Sequence, residues 1–360
     1  MTSAHPSRGA SAPMPVNCWY AVAPAASVGP GPLPLRAVGR PVVLFRTSGG
    51  TLTALEDRCA HRAFPLSVGR LDGDLISCGL CGFSYDATGT CVRVPTQPRV
   101  PLGATVPAFA ARESDGLIWI WLGEPGRAGL HRIPDLPWLT GPGWATVGGD
   151  EHVDAGFLLL HENFADVTQV PFVAPDLAPA VLGTPPPPLR VTVSETTVEL
   201  RREYPPGPLP SWQAEMLGRP AGEPLAHVQE GFFLSPAVWV DYWDVSSPAG
   251  EWFRLRFTHL VTPVTQTSST VLWRVSRDFA VADQAATGRL AGMFSEYYHR
   301  VLAAMRVAQQ VLDTDGPGAE VNVSADVAAL KIREIVHEML AEERPAGARP
   351  AAGRTRRDRA

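Results

Sequence analysis

The chain has 360 residues, 45% hydrophobic and 19% charged, a globular composition with length enough for two domains. A net charge of -5 argues against nucleic-acid binding, and no apolar run approaches the ~20 residues that a membrane span needs. The five cysteines, an odd number thinly spread, disfavour a disulfide framework. With no signal-peptide core at the N-terminus, a cytoplasmic location is expected.

In chain order, residues 1–14 are rich in Ser, Ala and Pro and are expected to be disordered. From Val16 to Leu122, short runs of β-branched and aromatic residues alternate with Gly/Pro turns. PVVLFRTSGGTLTALED at 41–57 predicts a hairpin turning at Ser48-Gly49-Gly50, and GLIWIWLG at 116–123 predicts another strand. The Gly- and Pro-rich stretch 124–145 has the composition of a linker. FLLLHENFADVTQV at 157–170 predicts a helix stopped by Pro171. Four strand-like runs follow between Leu189 and Val275 and predict an antiparallel sheet. Next come a long helix near Asp283 to Leu312 and a last helix, with Ser324 as its cap. The tail 344–360 is basic, Pro/Gly-rich and expected to be disordered. Strands first, then sheet with long helices rather than alternation, indicates an α+β fold.

The chemistry-bearing stretch is DRCAHRAFPLSVGRL followed by CGLCGFSYDATGTC. It spaces Cys59, His61, Cys78 and Cys81 as C-x-H-x16-C-x-x-C. Two hairpin tips, each offering two ligands, build a four-ligand pocket. Zinc accepts three thiolates and one imidazole, and so does an iron–sulfur cluster. Buried free cysteines are the structural alternative.

The motif is longer than the four ligands. Arg62, Pro65-Leu66-Ser67, Gly69, Gly82, Tyr85-Asp86, Gly89-x-Cys91 and Val94-Pro95 surround it. This pattern resembles the Rieske non-haem iron oxygenases, and most closely the aromatic-acid demethylase branch. The likeness continues through ENFADVTQ and VNVSAD at 321–326. It implies a Rieske [2Fe-2S]-type domain at 15–128, then a helix-grip catalytic-type domain at 129–343, in a head-to-tail ring of three. One ligand departs from the pattern: Cys81 stands where the family has its second Rieske histidine. The cluster this implies has three cysteines and one histidine, with zinc or an empty clip as alternatives. A thiolate in place of an imidazole adds negative charge and lowers the potential, by on the order of 100 mV.

The family's mononuclear iron is held by two histidines and a carboxylate with open positions for oxygen. The histidines lie in N-x-x-D-x-x-H-x4-H. Asn163 and Asp166 match that frame, but Gln169 and Ala174 occupy the histidine positions, and the carboxylate position falls on Leu302. His161 precedes Gln169 by eight residues, about 12 Å along a helix, too far to take its seat. His152, His227, His259 and His299 are scattered and are expected to be hydrogen-bonded structural residues. Asp166, which in the family bridges the two metal centres, is expected to be vestigial here, a helix residue at a subunit contact.

The resemblance therefore implies a subunit with a lapsed iron site and no mononuclear iron. Its expected role is support of an active paralogue in a hetero-oligomer, or life as a homotrimer, in oxidative tailoring of a small natural product. A ferredoxin or reductase and a small aromatic or hydrophobic molecule are the expected partners. Two alternatives stand beside it: an enzyme using the pocket for redox-neutral or cluster-only chemistry, and a divergent working monooxygenase. Trp239, Trp243, Trp252 and Trp273 are candidate pocket walls, with core packing the expected role of each.

Overall fold

The structure is a computed structural model and describes residues 14–343. The expected disordered ends therefore lie, but for Met14, outside the described residues. The first domain runs through β1 (Trp19–Pro24), β2 (Leu33–Ala37), β3 (Arg40–Arg46), β4 (Leu52–Glu56), β5 (Arg70–Asp72), β6 (Leu75–Ser77), β7 (Ser84–Tyr85), β8 (Cys91–Arg93), β9 (Ala108–Ser114) and β10 (Leu117–Trp121). They form a six-stranded antiparallel sheet, β1-β10-β9-β4-β3-β2, and a four-stranded one, β5-β6-β7-β8. The 41–57 hairpin forms as the sequence predicts. Gly50 takes φ 82 at its turn, which a side chain resists, and Thr47 N–H donates to Thr51 O at 3.0 Å. β10 is buried at every position, consistent with its unbroken apolar run LIWIW.

The second domain opens with β11 (Ala145–Val153) and the helices α1 (Phe157–Phe164) and α2 (Val170–Val173). It continues through β12 (Arg190–Val193), β13 (Val198–Gly207), α3 (Ser211–Leu217), β14 (Leu225–Ser235), β15 (Val238–Ser246), β16 (Trp252–Thr265) and β17 (Ser268–Arg277). The last elements are α4 (Gln284–Asp315) and α5 (Val327–Glu342). The strands make one seven-stranded antiparallel sheet, β11-β17-β16-β15-β14-β13-β12. Alternation along β14 and β13 puts every second residue into the core beneath the helices. β11 escaped the sequence reading because ATVGGDEHV carries two glycines and four polar residues. Its pairing with β17 is what fixes it as a strand.

Four local expectations are corrected. The helix from Phe157 stops at Phe164, because Asp166 caps a fresh 3₁₀ turn at Val167–Gln169 by accepting from Thr168 N at 2.9 Å. Pro171 then lies in the first turn of α2, where its missing N–H has no helical partner to lose, so it starts a helix instead of stopping one. Ser324 does not cap α5. It opens a 3₁₀ turn, and Asp326 supplies the side-chain acceptor, to Val323 N at 2.7 Å. The 124–145 stretch is packed, not a free linker: Leu136, Trp138 and Leu139 are buried, and Trp138 Nε1–H donates to Thr258 Oγ1 at 2.8 Å.

The two domains share one core, in which Trp19 and Tyr20 of β1 pack with Val238 and Val240 of β15. Thr262 Oγ1–H donates to Ala21 O at 2.8 Å across the junction. α1 is tied to α5 by a buried ion pair, Arg333 Nε to Glu162 Oε1 at 2.7 Å, and Arg333 also reaches Glu320 at 2.8 Å. That pair fixes the corner where α1 ends and the second candidate site begins. Among the described residues, no helix is long and apolar enough to cross a membrane.

Candidate metal centre and the adjoining domain's cavity

Two loops of the same backbone design build the first site. In one, Cys59 N–H donates to Phe64 O at 2.8 Å and Ala63 N–H to Cys59 O at 2.9 Å. In the other, Cys78 N–H donates to Phe83 O at 2.8 Å and Gly82 N–H to Cys78 O at 2.9 Å. The fifth residue of each loop has positive φ, 56° at Ala63 and 72° at Gly82. Each loop thus closes on its own first cysteine and points sulfur at the other loop.

The thiols of Cys59, Cys78 and Cys81 lie within 4.8 Å of one another, and Cys59 Sγ stands 3.7 Å from Cys81 Sγ. Among the described residues this is the one grouping of three or more side chains able to hold a metal ion. Tyr85 Oη lies 3.1 Å from Cys59 Sγ and accepts from Ala60 N at 3.1 Å. Burial opposes ionisation of Cys59, but hydrogen bonds from Tyr85, the His61 backbone, Cys81 and Cys78 outweigh it and hold the thiol below its ordinary range. Cys81 is pushed up to about 12 by burial and by its neighbours Cys78 and Cys59, against a hydrogen bond from the Phe83 backbone. A negative charge on Cys59 opposes ionisation of Cys81, as like charges crowded into one cluster do.

His61 is not part of the tight grouping. Its exposed ring stacks on Phe83 with centroids 4.9 Å apart and planes 6° from parallel. Cys91 is buried and its Sγ faces Arg93 O at 3.5 Å. Three sulfurs with an imidazole on the same loop form a soft donor set that fits an iron–sulfur group.

The second site lies where α1 breaks. Asn163, Asp166 and Gln169 border a cavity of about 90 Å³ against the sheet face of β15 and β16 and helices α3 and α4. Gln169 Nε2 donates to Asn163 Oδ1 at 3.2 Å. Both Asp166 oxygens are taken by Thr168, at 2.9 Å from its N–H and 2.8 Å from its hydroxyl. Ala174 and Leu302 are buried, 3% and 2% exposed, and carry no donor atom. The residues in these positions do not fit a two-histidine, one-carboxylate iron site.

The sequence reading missed the cavity's Asp241 and Gln213, and gave His259 only as a hydrogen-bonded structural residue. His259 is buried, with Nε2 2.9 Å from Tyr298 Oη and its ring stacked on Phe164 at 4.0 Å. Burial, with His161 nearby, pushes it down to about 3, so it is neutral. His161 is wholly buried, hydrogen-bonded to the Pro236 backbone. Burial pushes it down to about 4. Asp241 is 5% exposed and accepts from Trp239 Nε1 at 2.7 Å. Its carboxyl is raised to about 8, first by burial and further by Asp166. Trp239-x-Asp241-x-Trp243, a charge at period two between tryptophans, was the sequence signal for a polar group on the cavity face. Of the four candidate tryptophans, Trp243 lines the cavity, Trp239 and Trp273 are core, and Trp252 is 48% exposed at the surface.

An antiparallel domain with a thiol-lined double loop, fused to a sheet gripped by a long helix, defines a Rieske-type oxygenase architecture. Residues 18–109 match the Rieske [2Fe-2S] domain, and residues 153–342 match the vanillate O-demethylase oxygenase C-terminal domain. The chain belongs to the Rieske non-haem iron oxygenase family. It is 31% identical over 317 residues to the putative toluene-4-sulfonate monooxygenase system iron-sulfur subunit TsaM2 of Comamonas testosteroni, covering 82% of this chain and 90% of that protein. It is 30% identical over 282 residues to the dicamba O-demethylase oxygenase component of Stenotrophomonas maltophilia, covering 76% and 81%. The crystal structure of dicamba monooxygenase bound to 3,6-dichlorosalicylic acid superposes with a TM-score of 0.84 at 26% identity, over 91% of this chain and 98% of that one. The Rieske domain implies a [2Fe-2S] cluster.

Proposed function

We propose that this chain is a Rieske-oxygenase subunit whose C-terminal cavity binds a small apolar molecule without mononuclear iron. It supports an active oxygenase chain, in the cytoplasm, in oxidative tailoring of a small natural product. The observation that carries this reading is the corner after α1. Gln169 is hydrogen-bonded to Asn163, while Ala174 and Leu302 are buried apolar side chains. The one histidine bordering the cavity, His259, already has its Nε2 against Tyr298. Oxygen activation at a facial triad needs two imidazoles and a carboxylate converging on one point.

The thiol loops would hold the [2Fe-2S] cluster through Cys59, Cys78, Cys81 and His61, with zinc as the competing occupant. Bound there, such a cluster supplies one-electron transfer, with electrons from a ferredoxin or reductase. The chain's own residues shape that chemistry: Tyr85 braces the Cys59 sulfur, and Cys81 adds the charge that lowers the potential by on the order of 100 mV. Asp166, turned onto Thr168, is vestigial as a bridge. Both similar proteins described above are named as one subunit or component of a larger system, which supports a partner chain, a hetero-oligomer with an active paralogue rather than a homotrimer alone.

The test is nitric oxide added to the anaerobic, dithionite-reduced protein. Mononuclear ferrous iron with an open position binds it and gives a characteristic paramagnetic resonance signal. The proposal expects cluster signals alone and no oxygen-dependent product from the isolated chain. A stoichiometric nitrosyl signal with oxygen-dependent turnover overturns it.

A further inference from the structure

Cys81 brings a third thiol to the place where the two loops face each other. Cys59 and Cys78 are 2% and 1% exposed, whereas Cys81 is half-buried, so solution reaches the cluster on its side. Cys59 Sγ and Cys81 Sγ are in contact at 3.7 Å, and Cys78 Sγ lies within 4.8 Å of both. The remaining cysteines stand apart: Cys18 packs in the core shared by the domains, and Cys91 Sγ faces Arg93 O at 3.5 Å.

Thiols this close are metal ligands when an ion is present and a reducing pair when none is. A disulfide asks that the two sulfurs come to about 2 Å on backbone free to approach. Cys59 belongs to one loop and Cys81 to the other, and the loop tips are bare. Ala60, His61 and Arg62 on the first and Gly79 and Leu80 on the second are exposed. The tips therefore close the gap by moving against solvent, not against a packed core.

We propose that Cys59 and Cys81 form a reversible modification site: when no metal is bound, a peroxide joins them in a disulfide that shuts the cradle. One thiol is first oxidised to a sulfenic acid as the peroxide O–O bond breaks and a water leaves. The other sulfur attacks it, the S–O bond breaks, and the hydroxyl departs as a second water with the remaining thiol proton. Two thiols and one hydrogen peroxide thus give one disulfide and two waters, and a dithiol reductant reverses the bond. The disulfide consumes two of the four candidate ligands and leaves Cys78 and His61, too few for a tetrahedral ion or a cluster. In a reducing compartment such a bond is transient, so it records peroxide and does not brace the fold. That the bond excludes metal rests on the reading of the loops as a metal cradle; that it forms does not.

The experiment strips metal from the full-length protein with a chelator and dithiothreitol, removes both anaerobically, and adds about one equivalent of hydrogen peroxide. N-ethylmaleimide in denaturant then blocks free thiols, and trypsin separates the loops. Cys59 falls on peptide 59–62, and Cys78, Cys81 and Cys91 on peptide 71–93. The two peptides are expected joined in one product that dithiothreitol parts. Cys81→Ser should lower its yield at least about tenfold, and Cys78→Ser should leave it. Fragmentation of the joined product assigns the sulfur directly, should a variant fail to fold. Oxidised protein should take up zinc, added alone, at least about tenfold less than reduced protein, with uptake restored by dithiothreitol. A bond inside peptide 71–93 with 59–62 free, a joined product through Cys78 or Cys91, no disulfide, or zinc uptake unchanged by oxidation overturns the proposal. No zinc uptake even by the reduced protein overturns the cradle and with it the shutting role, whereas the peptide map alone decides the bond.

Discussion

The thiol loops of the first domain and the α1–α2 corner of the second are the two places where this family holds iron, and they have fared differently under substitution. At the loops, on the proposed reading, Cys81, itself a soft donor, takes an imidazole position, with its sulfur 3.7 Å from Cys59 Sγ. At the corner, on the proposed reading, the amide of Gln169 and the methyl of Ala174 fill the two imidazole positions and the buried Leu302 the carboxylate position. A metal site tolerates exchange of one donor for another. It does not tolerate exchange of donors for packing. The corner is nevertheless well ordered, because Asp166 caps it, Gln169 ties back to Asn163 and the Arg333–Glu162 pair anchors α1.

The first way to sharpen the contrast is to delete a donor on each side. Cys78→Ala should abolish bound iron and the visible absorption of the purified protein, whereas Gln169→Ala should leave both unchanged. Iron retained by Cys78→Ala would mean that the loops are not the site. The corner's reliance on packing predicts that Phe164→Ala, which removes the ring stacked on His259, costs about 3–5 kcal/mol in denaturant unfolding. Phe172→Ala, at an 87% exposed position a few residues on, should cost less than about 0.5 kcal/mol.

Proton linkage separates the two regions further. His161 and His259 sit at about 4 and about 3 in the folded chain, against 6.5 for the free side chain. The unfolded chain therefore takes up protons first as pH falls below about 6.5, and each ring removes about 1 kcal/mol of stability per pH unit. Asp241, raised from 3.8 to about 8, acts the other way: its contribution is full below pH 4 and is lost as pH rises to 8. Stability of the second domain should peak near pH 6.5. His161→Leu should flatten the acid limb, since the remaining His259 and Asp241 slopes oppose each other. An unchanged acid limb in that variant would refute the buried-neutral assignment of His161.

The smallest effect lies within the metal loops themselves. Ala63 and Gly82 occupy the same position in two matching loops, both with positive φ, but only one is glycine. Ala63→Gly should relieve strain and raise stability by up to about 1 kcal/mol. A loss of stability there would show that the unfolded-state entropy of glycine outweighs the relief.

How much of this was legible depended on distance along the chain. The Cys59–Cys81 frame was readable because its four candidate ligands fall in 23 consecutive residues and ligand chemistry restricts the residue types. The stretch from β12 to β17 was readable as four strand runs, but the first two each fold as a hairpin, β12–β13 and β14–β15, whose turns the period did not reveal. The cavity's polar set was not. Gln213 comes from a short helix, Asp241 and His259 from separate strands, and only the β15–β16 register, which sets Asp241 opposite Phe257 and Trp239 opposite His259, brings them together. β11 was hidden by its glycines, and the break at Asp166 by a helical period that runs straight through its cap.

The central claim is that iron belongs to one of these regions and not to the other. The most direct measurement is the ratio of iron to acid-labile sulfide in anaerobically purified full-length protein. The account predicts about one iron per sulfide, with about two of each per chain. About three irons for two sulfides, with the extra iron removed by substitution at the α1–α2 corner, would contradict it.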